Sequence, residues 1–189
     1  GVPCWVTTDD PIAAGQASDS CYAGVLSRPP VLAQDDTSMI DVVRHALAQV
    51  PGPEDQIIVL LQPTQPLRQP THLIAALERL QTGDWDSVVT ITPIPRTHAP
   101  AFVLLYGDTT LTVCPYDGQA WAVRPTRRQS VPWPYVADGT CYAFFRRTVA
   151  MYGTIYGAHV SGLLIPPEET CALDTPADWA AAERRLRGH

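Results

Sequence analysis

Ile57-Ile58-Val59-Leu60-Leu61-Gln62-Pro63-Thr64-Gln65-Pro66-Leu67-Arg68 sets an unbroken aliphatic run directly against a polar turn stiffened by prolines. A run without polar alternation predicts a strand covered on both faces, as in a parallel sheet wrapped by helices. The polar turn then lies at the strand's carboxyl end, which is where open α/β sheets bind their ligands.

The flanking sequence agrees with that reading. Upstream, Thr37 or Ser38 can cap a helix that carries Ile40, Val43, Leu47 and Val50 on one face and ends at Pro51-Gly52-Pro53. Downstream, Leu73, Leu77 and Leu80 mark the buried side of a second helix before Gly83, and residues 87–92 predict another strand. At the front, residues 2–8 form a β-rich run stopped by Asp9-Asp10-Pro11. Residues 11–20 are Ala-rich enough for a short helix, and Ser27-Arg28-Pro29-Pro30 enforces an extended stretch. Strand and helix alternate as in a parallel sheet, so the loops after Thr8, Leu61 and Thr92 are expected on one rim.

The texture changes near residue 100. Residues 102–106 and 111–113 read as strands, and Tyr116-Asp117-Gly118 is a turn signal before Ala120-Trp121-Ala122-Val123. Residues 140–145 and 162–165 read as further strands, and a helix over 176–186 starts with Thr175 as cap and Pro176 in the first turn. The expected architecture is a single α/β domain over residues 1–189. Its sheet is Rossmann-like and mostly parallel, flanked by helices, with an inserted antiparallel element at about 100–136 that serves as a dimer contact.

Composition fixes the class of molecule. The 189 residues are 46% hydrophobic and 17% charged, which is the balance of a folded globular chain. A net charge of -6, from 13 Lys and Arg against 19 Asp and Glu, offers no basic field for a nucleic acid. The aliphatic run at 57–61 is too short to span a bilayer, so no membrane partner is expected. Cys4, Cys21, Cys114, Cys141 and Cys171 are scattered and odd in number, which predicts reduced thiols and a cytoplasmic setting. The 19 prolines cluster in connections, as rigid loops on an ordered scaffold would have them.

Chemistry-bearing residues concentrate in a few segments. Gln62 and Thr64 extend into the expected rim, and Gln62 carries both a donor and an acceptor, which is what reading a nucleobase requires. Arg28 could clamp a phosphate or carboxylate, or simply be a solvated loop residue. Arg124, Arg127 and Arg128 form a basic cluster that could receive an anion. Asp174 could hold Mg²⁺ through a hard oxygen, although helix capping explains much of its segment. His45, His72, His98, His159 and His189 have no ligand spacing, and Gly-rich phosphate loops are absent.

Taken in order, Val6-Thr7-Thr8-Asp9-Asp10, Arg28-Pro29-Pro30-Val31-Leu32-Ala33-Gln34-Asp35, Leu60 through Arg68, Asp86-Ser87-Val88-Val89, Asp138-Gly139-Thr140-Cys141-Tyr142 and Leu173-Asp174-Thr175-Pro176-Ala177-Asp178-Trp179 resemble the acylneuraminate cytidylyltransferase family. The Leu-Leu-Gln-Pro-Thr stretch followed by Pro-Leu-Arg is the most specific part, with Gln65 standing where the family form has Ser.

The resemblance implies activation of an anionic nine-carbon sugar acid by CTP with Mg²⁺, giving a CMP-sugar and pyrophosphate, in a homodimer. It implies Arg28 and Gln62 as nucleotide-pocket residues, and Gln62 and Thr64 near the sugar. Arg128 resembles an arginine that a dimer partner extends toward the sugar. Tyr142, Ile155 and Tyr156 fall where the family lines its acyl-sugar pocket, and Asp174 resembles one of two metal-binding aspartates. The match starts at the family's second strand, so the basic, Gly- and Ser-rich loop that wraps the triphosphate is expected ahead of Gly1 or not at all. Ala172 stands in place of the other metal aspartate, Phe102 in place of a sugar-contacting lysine, and Val136 in place of a second partner arginine. These departures carry the alternative expectation, a non-catalytic member that binds nucleotide or sugar or acts as a structural subunit.

Overall fold

A computed structural model describes residues 2–19, 23–107, 112–118, 120–123 and 125–188. In chain order the elements are β1 (Cys4–Thr8), α1 (Pro11–Asp19), β2 (Ala23–Ser27), α2 (Met39–Gln49), β3 (Ile57–Leu60), α3 (Pro70–Thr82), β4 (Ser87–Pro93), β5 (Leu104–Gly107), β6 (Thr112–Pro115), β7 (Tyr135–Phe145), α4 (Arg146–Tyr152), β8 (Val160–Leu164) and α5 (Pro176–Leu186). The fold is α/β, as the alternation of patterns predicts. It divides into two compact units, one made of Gly1–Ile58, Asp84–Ser87 and Phe144–Val160, the other of Val59–Gly83, Val88–Ala143 and Ser161–His189.

In the first unit β1 and β2 pair in parallel, with Cys4 opposite Ala23 and Thr8 opposite Ser27. A parallel pair needs a crossover, and α1 supplies it. β2 is five residues long with a glycine inside it, and its partner rather than its own pattern defines it. α2 buries Val42 and Val43. Its expected cap is not made: Ser38 has no side-chain capping bond, and the Thr37 hydroxyl instead accepts from Gln34 N at 3.1 Å, closing the preceding turn. Arg146 serves the other end, donating to Leu47 O at 3.1 Å and to Val50 O, so its guanidinium satisfies carbonyls that the helix leaves open. α4 follows β7 with only Phe145 as N-cap and stops at Gly153, whose φ of +69° is left-handed and costs glycine little.

Asp86 is a staple of this unit. Its Oδ2 accepts from Ala158 N at 2.8 Å and His159 N at 2.9 Å, while its own N donates to His159 O at 2.8 Å. The His159 backbone N–H, aided by that of Ala158, holds the carboxyl below its ordinary value.

The larger sheet runs in the order β3-β7-β4-β8. β7 is antiparallel to β4: Ile94 N donates to Pro134 O at the far end, while the Thr90 hydroxyl bonds both the N and the O of Cys141, each at 3.0 Å. Val88, Thr90, Cys141 and Ala143 are fully buried, and Ala76 and Leu80 of α3 and Ile165 after β8 complete the core of the second unit. The expectation that the central aliphatic strand is covered on both faces is not met, because all four residues of β3 are only half-buried. β3 stands at the sheet edge, and the fully buried run belongs to β4 instead.

β5 and β6 form an antiparallel pair, with Leu104 opposite Pro115. The segment Trp121–Val123, beyond the turn at Tyr116-Asp117-Gly118, is a 3₁₀ turn. Residues 20 and 111, Arg124, His189 and the thiols of Cys21 and Cys114 lie outside the described residues. Cys4, Cys141 and Cys171 are free thiols, and burial pushes the Cys141 thiol up to about 11. Among the described residues no helix is long and apolar enough to cross a membrane.

The Asp86 staple makes a pH-dependent prediction. A carboxyl whose folded pKa is depressed contributes stability above its unfolded value of about 3.9, and that contribution disappears as pH falls through the folded value. Asp86→Ala is expected to lower stability at neutral pH by about 1 kcal/mol, a figure kept small by solvent exposure. In denaturant titrations the gap from the unaltered chain should close below about pH 4. A gap that widened in acid would contradict the assignment.

Candidate functional site at the loop after β3

The turn that follows β3 is held in place by side chains from its own sequence. Gln65 is buried, and its Nε2 donates to Asp138 O on β7 while its Oε1 accepts from Thr170 Oγ1 and Cys171 N, both at 3.3 Å. One carboxamide thus joins the loop, the strand and the segment before α5. Arg68 is the second anchor: its Nε donates to Thr140 O at 2.5 Å and its Nη2 to Gln62 O at 2.6 Å. Burial draws the Arg68 guanidinium down, but Cys141 and Asp138 oppose the shift and arginine stays charged.

The anchored loop presents Gln62 and Thr64. Gln62 is half-buried, and its carboxamide has no hydrogen-bond partner among the described residues, although its carbonyl is used by Arg68. It lies over Gly139, where φ is +78° and an added Cβ would collide with the Gln62 amide oxygen. Glycine there serves both the left-handed backbone and the close approach. Thr64 is exposed, and its carbonyl accepts from Leu173 N at 3.0 Å. That bond brings the backbone beside Asp174 to the same loop, so Gln62, Thr64 and the Asp174 segment share one edge of the second unit.

Asp174 is exposed and makes no side-chain hydrogen bond among the described residues, whereas Asp178 is consumed by the α5 capping box with Thr175. Hydrogen bonds from the Thr175 hydroxyl and backbone keep the Asp178 carboxyl low. Among the described residues no group of three His, Cys, Asp or Glu is placed to hold a metal. The edge therefore offers one free carboxylate. That is the lower limit for Mg²⁺, which takes one or two carboxylates and fills its remaining positions with phosphate oxygens and water.

The other sequence-derived candidates are distributed. Tyr142 sits half-buried on β7. Arg128 is exposed and lines an open cleft of ≈ 720 Å³ at the end of β4. Arg28 belongs to the first unit, where its Nη2 donates to Thr7 O at 2.5 Å and its Nε reaches Thr7 Oγ1 at 3.4 Å. Ile155 and Tyr156 also belong to the first unit; Ile155 is packed in its core, and Tyr156 is exposed with its carbonyl accepting from Ser87 Oγ. The sequence reading missed Gln65 and Arg68 as organisers, although the Gln at 65 in place of Ser marked the position as unusual. It also missed buried His72, whose Nδ1 accepts from Gln69 N and whose Nε2 meets Glu169 at 2.7 Å, a structural role at the start of α3.

A sheet of this order with polar loops beyond its strand ends is an α/β arrangement of the kind that binds ligands at that rim. The fold matches the solved structure of CMP:2-keto-3-deoxy-manno-octonic acid synthetase complexed with CTP, with a TM-score of 0.64, 15% identity, and coverage of 99% of this chain and 80% of that one. The cytidylyltransferase family model matches residues 2–153, and the chain belongs to that family. Among its relatives, N-acylneuraminate cytidylyltransferase A of Danio rerio is 28% identical over 182 residues, covering 96% of this chain and 40% of that protein. N-acylneuraminate cytidylyltransferase of Escherichia coli O18:K1:H7 is 33% identical over 113 residues, covering 59% of this chain and 26% of that protein. The chain thus spans less than half the length of the curated relatives it matches.

The Gln65 carboxamide carries the first test of the site. Gln65→Ala strands the buried Asp138 carbonyl and the Cys171 N–H, and a stability loss of about 1–3 kcal/mol is expected from denaturant unfolding. Limited proteolysis should then cut first within residues 62–68 or 170–174. An unchanged midpoint and cleavage pattern would show that the loop is held by something else.

Proposed function

We propose that this chain binds CTP at the loop after β3 and is the nucleotidyl-transferring part of a cytidylyltransferase whose acceptor is an anionic sugar acid of the sialic type. The observation that carries this reading is the unpaired Gln62 carboxamide, presented by a loop that Gln65 and Arg68 fix to β7. A rigid donor and acceptor pair can match the amino group and ring acceptors of cytosine, and a fixed scaffold keeps the ordering cost of binding low. Family membership supports cytidylyl transfer, and the names of the relatives support the sugar acid.

In the transfer proposed, the anomeric hydroxyl of the acceptor bonds to the α-phosphorus and releases its proton to solvent as the bond to the leaving pyrophosphate breaks. Catalysis of this type is mostly positioning and charge neutralisation. Gln62 fixes the base, Thr64 offers its hydroxyl to the sugar side, and Arg28, Tyr142, Ile155 and Tyr156 are retained as proposed contacts to nucleotide or sugar. Asp174 is the residue that would hold Mg²⁺, which when bound supplies neutralisation of triphosphate charge. The lone carboxylate, with Ala172 in place of a second, favours one alternative: a member that binds nucleotide or sugar without turnover.

Calorimetric titration with CTP and Mg²⁺, run beside a pyrophosphate-release assay with N-acetylneuraminate, separates the two readings. The proposal expects CTP binding in preference to UTP, weakened about ten-fold by Gln62→Ala with little change in melting temperature, because that carboxamide makes no hydrogen bond among the described residues. Preference for UTP, or unaltered affinity in Gln62→Ala, would remove the cytosine assignment. Binding without pyrophosphate release would select the non-catalytic reading for this chain.

A homodimer through residues 100–136 belongs to the same proposal. Leu104, Leu105, Tyr116, Trp121, Val123, Tyr135 and Val136 all expose 44–65% of their surface in this short stretch, a density of apolar surface that marks contact sites. Sedimentation velocity is expected to give a dimer that Leu105→Asp with Val123→Asp converts to monomer. A monomeric unaltered chain at micromolar concentration would overturn it.

A further inference from the structure

The stretch between β8 and α5 contains one 3₁₀ turn, Pro167–Glu169, and is otherwise irregular, yet it carries Asp174 to the edge beside Thr64. Asp174 is exposed and its side chain makes no hydrogen bond among the described residues. Its place is therefore set by what holds the backbone on either side. On the far side the α5 capping box fixes Thr175 against Asp178. On the near side Leu173 N bonds Thr64 O at 3.0 Å, and Thr170 Oγ1 and Cys171 N share one acceptor, Gln65 Oε1, each at 3.3 Å. Arg185 adds a bond from Nη1 to Thr170 O at 2.8 Å, made by an exposed side chain.

A shorter, charge-assisted bond ties the same stretch to α3. His72 Nε2 meets Glu169 Oε2 at 2.7 Å, with the imidazole 7% and the carboxylate 37% exposed. The ring's other nitrogen fixes the sense of that bond. Nδ1 accepts from Gln69 N at 3.3 Å, so the ring proton sits on Nε2 and is donated to the carboxylate. A buried imidazole held at both nitrogens has one orientation, and it belongs to the first turn of α3, just after the Arg68 anchor. Hydrogen bonds to an ionised partner are roughly twice as strong as neutral ones. Among the near-side bonds to the body of the unit, this one is thus the strongest hold on residues 169–174.

The two halves of the edge are supported by separate routes. Gln62 is fixed through Arg68, whose bonds run to Thr140 O and Gln62 O and do not pass through residue 169. Asp174 is fixed through the stretch that Glu169 ties down.

We propose that His72, acting through Glu169, is the positioning residue for the Asp174 carboxylate: it holds the stretch before α5 against α3 and so sets where that carboxylate stands relative to Gln62. This goes beyond closure of the first turn of α3, and it rests on the reading of the edge as a site for CTP and Mg²⁺. Groups that orient a metal-binding side chain change metal affinity by roughly 10–100-fold when removed.

The test is calorimetric titration of the full chain with CTP, once in EDTA and once in Mg²⁺. The affinity in EDTA reports Gln62, and the gain on adding Mg²⁺ reports Asp174. Glu169→Ala and His72→Ala are expected to cut that gain by about ten-fold, toward the level of Asp174→Ala, while the affinity in EDTA stays within about two-fold. Glu169→Gln should restore part of the gain, because its amide oxygen still accepts from Nε2–H. In the chain free of metal and nucleotide, amide hydrogen exchange at Leu173 should quicken in Glu169→Ala while exchange in β4 is unchanged. Glu169 is only half-buried, so its variants carry the test even where loss of the buried imidazole unfolds His72→Ala. A gain from Mg²⁺ that is unchanged in Glu169→Ala, or that Glu169→Gln does not restore at all, overturns the positioning role. Equal losses in EDTA and in Mg²⁺ overturn it too, because the whole edge has then been lost rather than the placement of one carboxylate. CTP binding to the unaltered chain with no gain from Mg²⁺ overturns the metal reading of Asp174 and this role together, leaving the Gln62 assignment standing. Absence of CTP binding overturns the proposed function itself and the role with it.

Discussion

The site depends on one buried carboxamide. Gln65 gives its donor to the Asp138 carbonyl and its acceptor to Thr170 and Cys171, so three separate stretches of chain meet at a single side chain. An amide is suited to the task because it bonds in both senses without carrying a charge, and burial therefore costs only its desolvation. Arg68 extends the arrangement by bonding Thr140 and Gln62 carbonyls. The loop after β3 is consequently a rigid rim, although it contains no regular secondary structure.

Function is legible in what this scaffold does not consume. Asp86, Asp138 and Asp178 accept from nearby backbone and hydroxyl groups, and Arg28, Arg68 and Arg146 donate to backbone carbonyls. Each is a charged side chain that would look functional in a sequence, and apart from Arg28, which is proposed to meet the nucleotide as well, each has a structural role in the fold. Among the described residues the side chains of Gln62, Thr64 and Asp174 have no comparable obligation. Polar groups that are ordered yet unpaired are the ones with hydrogen-bonding capacity left for a ligand.

Elements with strong local signals were readable in advance. α5 follows its capping box, with Thr175 accepting from Asp178 N as the order Thr-Pro-Ala-Asp implies, and α3 and β4 fall where periodicity and apolar run place them. β2 and α4 were not readable, because β2 is defined by its parallel partner and α4 continues from β7 without a capping side chain. The site was half legible for a related reason. A strand end and a polar turn identify a rim, so Gln62 and Thr64 stood out, but the bond from Leu173 N to Thr64 O joins residues more than a hundred positions apart and leaves no local trace. Gln65 was conspicuous only as a departure from Ser, and its many partners became apparent only in three dimensions.

The central claim is that the loop after β3 and the stretch before α5 form one edge on which the nucleotide sits. Amide resonances of uniformly ¹⁵N-labelled chain, followed while CTP and Mg²⁺ are added, test it most directly. The account predicts that the Gln62 side-chain NH₂ and the backbone amides of Thr64 and Leu173 shift together along a single binding curve. Saturable CTP binding that leaves all three unmoved would contradict it.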